Sequence, residues 1–211
     1  MKSFTPVALA IALSACAGKQ EYQPPANYSA QKNTLTVEAT KDEVWKKLIT
    51  GMGQKFFVIN NMDKESGFIN VSYSGDPELY VDCGSATSYV KNAAGERTYS
   101  YRAAQKSTDL EVMDSQGLFF IHREMSLEGR INVLVQPISN NSTTVTVNSR
   151  YILTRTSNVR DVNNRTSTFK SDVTFNTGQT GSLENSNGRQ PTICVPTGGL
   201  EKSILDLALT K

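Results

Sequence analysis

The chain has 211 residues, of which 38% are hydrophobic and 20% charged, a composition typical of one globular domain with short tails. Its 22 basic residues nearly balance 20 acidic ones, so no strongly basic surface is available to bind nucleic acid by counterion release. A domain of this size buries a sizeable core and needs neither a structural metal nor dense disulfides to fold.

The beginning of the chain has the three-part layout of a secretory signal. Lys2 is followed by an apolar run over 7–13 and then by small residues. The run is much shorter than the ~20 apolar residues that cross a bilayer, which predicts that it is removed and not kept as an anchor. An ordinary signal peptide with a chance cysteine is the alternative.

The tetrad Leu13-Ser14-Ala15-Cys16 resembles the lipobox of bacterial lipoproteins. The resemblance implies lipid on the Cys16 thiol, cleavage before this cysteine, and acylation of the new amino group with a fatty acid such as palmitate. Several acyl chains make such an anchor effectively permanent. Ala17 follows the cysteine, and the absence of aspartate there implies the outer membrane, with the protein on its periplasmic face.

We divide the chain into a signal peptide (1–15), a lipidated N-terminus with a flexible tether (16–33) and one periplasmic domain (34–211). The tether contains proline, glutamine and asparagine and has no apolar periodicity. Its length gives a reach of about 20–25 Å, which predicts that the domain stays close to its membrane. Tyr22 and Tyr28 in the tether are either incidental aromatics or a docking motif for a partner.

The domain opens with a β-α-β-β pattern. Residues 34–37 alternate polar and apolar side chains as strands do, and Thr40 with Glu43 forms a capping box that predicts the start of a helix. The apolar residues of that helix fall on one face: Val44, Trp45, Leu48, Ile49 and Met52. Residues 56–59 and 68–73 are the next predicted strands, joined by turn-forming residues.

Weaker patterns follow, and then a long hairpin. Residues 84–97 predict a loop, while 98–102 and 118–121 predict short strands. Apolar and polar residues then alternate on both sides of a predicted turn at 139–142, which indicates one buried and one wet face. The apolar set is Met125, Leu127, Ile131, Val133, Val135, Val145, Val147, Tyr151 and Leu153.

The last third of the chain is predicted to alternate loops with one strand and one helix. Residues 154–168 predict a turn region and 176–190 predict a loop. Phe169, Val173 and Phe175 indicate a strand between them. The apolar spacing over 200–208 predicts an amphipathic C-terminal helix.

The predicted fold class is α+β, with a curved antiparallel sheet packed on an N-terminal and a C-terminal helix. A sheet with one wet face requires a cover on its other face. Residues 36–73, with Val44-Trp45, Leu48 and the turn 64–67 before a strand, resemble the helix-grip domains of envelope lipoproteins. The C-terminal part of the third lipoprotein of the outer-membrane β-barrel assembly machine is one such domain. That lipoprotein carries two of these domains and a long N-terminal arm, so its partner-binding residues are not transferred to this chain.

Two cysteines, Cys83 and Cys194, remain after the lipidated one. In an oxidising compartment they are expected to pair. The bridge would close a loop of about 110 residues, on the order of 4–5 kcal/mol in the chain-entropy model, and would pin the last helix to the first β-α-β unit. Two separate buried thiols are the alternative. Their spacing lacks the Cys-X-X-Cys arrangement of redox pairs, which favours a structural role.

No catalytic constellation is visible in the sequence. His122 is the only histidine, so His-rich metal sites are excluded, and a Ser-His-Asp triad would lack the Gly-X-Ser-X-Gly elbow. A strand-end histidine is the favoured interpretation of His122. Residues 197–199 at a helix start suit either an anion or simple capping. Asp76 and Asp82 flank a strand, either as a carboxylate pair or as solvated loop acids.

The sequence therefore predicts no enzyme, no cofactor and no metal site. The first hypothesis is a lipid-anchored periplasmic accessory or scaffold lipoprotein of an envelope assembly or secretion machine, bound to the membrane through lipid and to an envelope protein partner. The second is a carrier of a small hydrophobic ligand in a helix-grip pocket. A filled core between sheet and helices favours the first, and an open apolar cavity favours the second.

Overall fold

The computed structural model describes four stretches of the chain, which are residues 17–26, 32–55, 57–185 and 189–209. The strands in chain order are β1 (Ala17–Gln23), β2 (Thr34–Val37), β3 (Val58–Asp63), β4 (Phe68–Gly75), β5 (Val81–Asp82), β6 (Ser85–Asn92), β7 (Gly95–Arg102), β8 (Ser107–Asp114), β9 (Gly117–Ser139), β10 (Ser142–Asp161), β11 (Thr166–Asn176), β12 (Gly181–Leu183) and β13 (Thr192–Pro196). The helices are α1 (Lys41–Gly53) and α2 (Gly199–Leu205), and 3-10 turns cover Pro77–Leu79 and Asp206–Leu209.

The central hairpin of the fold is formed by β9 and β10, which confirms the hairpin predicted around the turn at 139–142. These strands are 23 and 20 residues long, so each has room for two shorter strands along its outer edge. Near the turn that joins them, β9 pairs with β4 and β10 pairs with β2. Further from that turn, β9 pairs with β8 and β10 pairs with β11, while β3 pairs with the free edge of β4. The seven-stranded sheet thus has a helix-covered half, with β2, β3 and β4, and a far half, with β8 and β11.

The hydrophobic core lies between the helix-covered half and the two helices. Along β9 from Leu127 to Val135, the odd-numbered side chains are buried, as the alternation predicts. Leu48 of α1 packs into the same fully buried cluster, and each such aliphatic side chain contributes roughly 1.5–3 kcal/mol. Gly129 leaves room for the approach of α2, because a Cβ there would lie 2.9 Å from Cδ2 of Leu200, which would have to shift. None of the described helices is long and apolar enough to cross a membrane.

The predicted α+β fold class, a curved sheet on an N-terminal and a C-terminal helix, is wrong. Strands make up 61% of the described residues and helices 15%, and the described strands form three antiparallel sheets. Much of the additional strand lies in the segments 84–97, 154–168 and 176–190, which were predicted to be loop or turn. These strands are rich in Ser, Thr and Asn and have solvent-exposed faces. Their sequences therefore lack the alternation of apolar and polar residues that predicts a strand.

The opening of the domain agrees better with the sequence. β2 is confirmed, and so is the capping box of α1, in which Thr40 N donates to Glu43 Oε2 at 2.9 Å and Glu43 N donates to Thr40 Oγ1 at 3.3 Å. The strand predicted at 56–59 is displaced, because β3 runs on into the asparagines that were expected to form a turn. Phe56 lies outside the described residues.

A second sheet, in the order β1-β6-β7, lies beside β8. β1 runs antiparallel to β6, with a register from Ala17↔Lys91 to Gln23↔Ser85. The segment 16–33, predicted as a flexible tether, therefore contains a strand that belongs to the fold. Cys16 and Tyr28 lie outside the described residues.

A disulfide joins Cys83 and Cys194, which confirms the predicted bridge over the alternative of two free thiols. Both cysteines are fully buried, and Cys194 lies in β13 of the third sheet, which has the order β12-β13-β5. Tyr22 of β1 docks beside the bridge. Its hydroxyl accepts a hydrogen bond from Ile193 N at 2.8 Å and lies 3.1 Å from the carbonyl oxygen of Cys83. The bridge thus ties the segment after β5 to β13, just before α2, and the hydrogen bonds of Tyr22 add β1 to this contact.

Replacing Cys83 and Cys194 together by alanine should lower the free energy of unfolding by roughly 2–4 kcal/mol, because the unfolded chain regains the loop entropy that the bridge removes. Urea unfolding of the chain from Ala17 onward, followed by circular dichroism, measures the change. Reductant should destabilise the wild-type domain and leave the double variant unchanged. Equal stability of the two proteins without reductant would contradict a structural role for the bridge.

Candidate functional site

The outer face of the helix-covered half carries a row of asparagine side chains. Asn132 of β9 lies opposite Asn148 of β10 on one side and opposite Asn70 of β4 on the other. Asn70 Nδ2 donates to Asn132 Oδ1 at 2.7 Å, and Asn60 Nδ2 donates to Asn70 Oδ1 at 3.0 Å. Asn33 Nδ2 donates to Asn148 Oδ1, also at 3.0 Å. These five residues are named the asparagine row.

The asparagine row is an ordered, uncharged hydrogen-bonding surface. Each amide has donors and acceptors beyond those used within the row, and these face solvent. Beside it, Thr34 and Thr146 bring their hydroxyls to 3.3 Å, and Thr36 and Thr144 bring theirs to 3.4 Å. Side chains already held in place lose little rotamer freedom when a partner binds, so this surface suits a polar partner.

The same face forms a cleft in the far half of the sheet, with a volume of about 650 Å³. β9 and β10 supply its floor, while β8, β11 and Tyr99 of β7 surround it. Its lining combines charged and polar side chains with apolar ones, and includes Asp109, Leu110, Glu111, Phe120, Ile121, His122, Asn158, Val159, Arg160, Thr166 and Thr168. Only His122 was singled out in the sequence, because the others come together only through strand register.

His122 lies inside β9 and opposite Asp109 of β8, not at a strand end as predicted. Its Nδ1 is 2.7 Å from Asp109 Oδ1, and its Nε2 is 3.8 Å from Glu124 Oε1. The hydrogen bond to Asp109 raises the pKa of His122 above its ordinary 6.5, against an opposing effect of partial burial. In a triad Nε2 faces the nucleophile. Here His122 Nε2 faces the carboxylate of Glu124, so the His122–Asp109 pair favours a role in binding over a role in nucleophilic catalysis.

The other charged groups of the cleft are held by neighbours of opposite sign or by rings. Arg97 of β7 donates to Glu111 Oε2 from Nε at 2.9 Å and from Nη2 at 2.6 Å. Burial, and then the charge of Glu111, raises the pKa of Tyr99. The Arg160 guanidinium lies 4.5 Å from the centroid of the Phe120 ring. A cleft with both signs of charge and one cation–aromatic pair suits a polar ligand or a polypeptide segment.

Two arginines on the opposite face of the β9–β10 hairpin hold the strands that form the floor of the cleft. Arg123 is buried, donates to the carbonyl of Ala103 and lies 5.4 Å from the Tyr101 ring centroid. Burial lowers the pKa of Arg123 to about 10. Arg155 of β10 donates to Asn185 Oδ1 at 2.7 Å. These contacts tie the connections before β8 and after β12 to the central strands.

The remaining residues singled out in the sequence have local structural roles. Asp76 and Asp82 each accept a hydrogen bond from the backbone N–H two residues further on, at 3.0 and 2.8 Å, and so form turns. Before α2, Thr197 Oγ1 accepts from Gly199 N at 3.2 Å in a local turn, while the N-cap residue of the helix is Gly198, which has no side chain to cap it. The described residues contain no group of His, Cys, Asp and Glu suited to a metal ion.

Comparison of the chain with protein-family models, with curated proteins and with solved structures found no match. Its function is therefore inferred from its residues and their geometry alone.

Replacing Asp109 by asparagine should lower the pKa of the His122 imidazole, because the hydrogen bond to this carboxylate is the largest cause of the raised value. NMR titration of the imidazole C–H resonances measures the change without ambiguity, since the chain has one histidine. Because the pKa is raised in the folded state, the stabilisation from this pair is present below the unfolded pKa and is lost as pH rises through the folded pKa.

The matched control for this titration is Glu124→Gln. The Nε2–Oε1 distance of 3.8 Å is too long for a hydrogen bond, so this change should move the pKa of His122 less than the Asp109 change does. A His122 pKa that is the same in the wild type and in Asp109→Asn would contradict the observed pair.

Proposed function

We propose that this protein is a lipid-anchored lipoprotein of the outer membrane that binds an envelope protein from the periplasmic side, as an accessory or scaffold of an assembly or secretion machine. The tetrad ending at Cys16 supports the anchor. The buried disulfide between Cys83 and Cys194 supports an oxidising compartment, because such bridges are rare in the cytosol.

The open polar face of the central hairpin carries the proposal of a protein partner. The asparagine row and the cleft lie on this one face, while the helices occupy the other face of the helix-covered half. β10 has 20 residues and extends over at most about 65 Å. A continuous ordered polar surface of that length suits a polypeptide better than a small molecule.

A carrier of a small hydrophobic ligand receives less support. The side chains between the sheet and the helices, among them Leu48, Met52 and Ile131, are fully buried in one packed cluster. The described cleft lies on the other face, and its lining includes four ionisable side chains, those of Asp109, Glu111, His122 and Arg160. A hydrophobe in the cleft would displace the water that solvates these groups, which is unfavourable.

Replacing Cys16 by serine should abolish labelling of the protein with palmitate in cells and release it from the membrane fraction, because no thiol remains to carry lipid. Ala17→Asp is the matched control. It keeps the thiol and should keep the label, while moving the protein from the outer to the inner membrane. A wild-type protein that is soluble and unmodified at residue 16 would contradict the proposal.

Photo-crosslinking in intact cells tests the protein partner. A photoreactive residue in place of Asn132 or Asn148 should form adducts with a protein, because both side chains lie on the open face. The control position is Lys46, on the exposed side of α1, where few or no adducts are expected. Absence of protein adducts from both positions of the asparagine row would count against the proposed partner surface.

A further inference from the structure

The first described residues lie at the outer end of the far half of the sheet. Ala17 pairs with Lys91, next to the β6–β7 turn. Gly18 lies against the carbonyl group of Met113, near the end of β8, where a side chain would not fit. Consecutive Cα atoms are about 3.8 Å apart, so residue 16 is joined to the fold within one residue of this place.

Three turns meet at this end of the molecule, and together they are named the tip. They are 93–94 between β6 and β7, 115–116 between β8 and β9, and 162–165 between β10 and β11. β8 ends with Asp114 opposite Gly117 of β9, and β10 ends opposite Phe119, so these turns are neighbours through strand register. The β6–β7 turn joins them through β1.

The tip presents apolar side chains on a fixed backbone. Val162 is 62% exposed, and the turn at 93–94 exposes two alanines. Asp161 Oδ1 accepts from Asn163 N at 2.8 Å and from Arg165 N at 2.9 Å, which fixes the turn that carries Val162. The valine is therefore held outward by ordered structure.

The charges around the tip are paired with each other. Lys91 Nζ lies 2.5 Å from Glu96 Oε1, and Arg165 Nε lies 2.6 Å from Asp161 Oδ2. A surface with paired charges and exposed small apolar groups does not repel zwitterionic headgroups and does not require anionic lipid. Its chemistry fits the headgroup region of a bilayer.

We infer that the tip rests on the lipid surface beside the acyl chains of Cys16, with Val162 and residues 93–94 in the headgroup region. The inference depends on the proposed lipidation of Cys16. Because no flexible linker separates the lipid-bearing residue from β1, the β9–β10 hairpin is held in one orientation relative to the membrane. The cleft then lies near the membrane, and the β9–β10 turn lies at most about 65 Å further into the periplasm.

Lipid quenching of fluorescent probes tests this orientation on the full-length, lipid-modified protein in phosphatidylcholine vesicles. Single cysteines in place of Val162 or Gln116 at the tip, and of Asn141 at the opposite turn, carry an environment-sensitive dye. The native thiols are occupied by lipid and by the bridge, so only the new cysteine reacts. With nitroxide-labelled lipid present, the dyes at 162 and 116 should lose most of their emission, while the dye at 141 should keep it.

Flotation of the same vesicles separates the two ways in which the inference can fail. If the protein floats with the vesicles but the tip dyes are quenched no more than the dye at 141, the tip does not rest on lipid, although the anchor stands. Equal strong quenching at all three positions means that the hairpin lies flat, which also overturns the inference. A protein that does not float refutes the lipid anchor and the inference with it.

Discussion

Backbone pairing between β9 and β10 is the constraint on which the rest of the structure depends. After one register shift next to the turn, between Ser142 and Thr143, the two strands stay in one antiparallel register from Thr143↔Pro137 to Asp161↔Phe119. β9 and β10 are longer than any of their neighbours. Each shorter strand of the sheet pairs with a particular section of β9 or β10, except β3, which pairs with β4. Hairpin contacts are local in sequence and form with little loop-closure entropy, so this pairing can organise the later and more distant contacts.

The register of this hairpin places the core and the candidate site at the same time. Side chains alternate along a strand, so Ile131 and Val133 face the helices while Arg130 and Asn132 face solvent. A slip of one residue would exchange the two sets and bury a charge. Leu200 packs against Gly129, where a larger residue would meet its side chain. The ordered polar face is therefore as strongly specified as the core behind it.

The sequence predicts those parts of the fold in which apolar periodicity is strong. α1, β4, the central hairpin, the C-terminal helix and the disulfide are confirmed. The predicted fold class is wrong because β6, β12 and the outer parts of β10 and β11 each have a solvent-exposed face. Backbone pairing makes these segments strands, although their side chains lack the apolar alternation that predicts a strand.

The candidate site was harder to predict than the fold, for a similar reason. His122 was visible as a single residue, but its partner Asp109 lies on another strand and is brought close only by the β8–β9 register. The asparagine row draws on segments far apart in the sequence, from Asn33 to Asn148. Residue spacing along one chain does not reveal neighbours across strands.

The position of Tyr22 has a mechanical consequence. Force applied to the amino end of the fold acts along β1. The hydrogen bonds between β1 and β6 are then loaded in shear, all at once, instead of opening one after another. At the other end of that strand, the Tyr22 hydroxyl is bonded to the backbone of Cys83 and Ile193, two segments that the disulfide between Cys83 and Cys194 holds together. With the proposed lipid on Cys16, tension from a moving bilayer would thus be shared by the β1–β6 pairing and by the contacts of Tyr22, and β1 would resist being pulled off the fold.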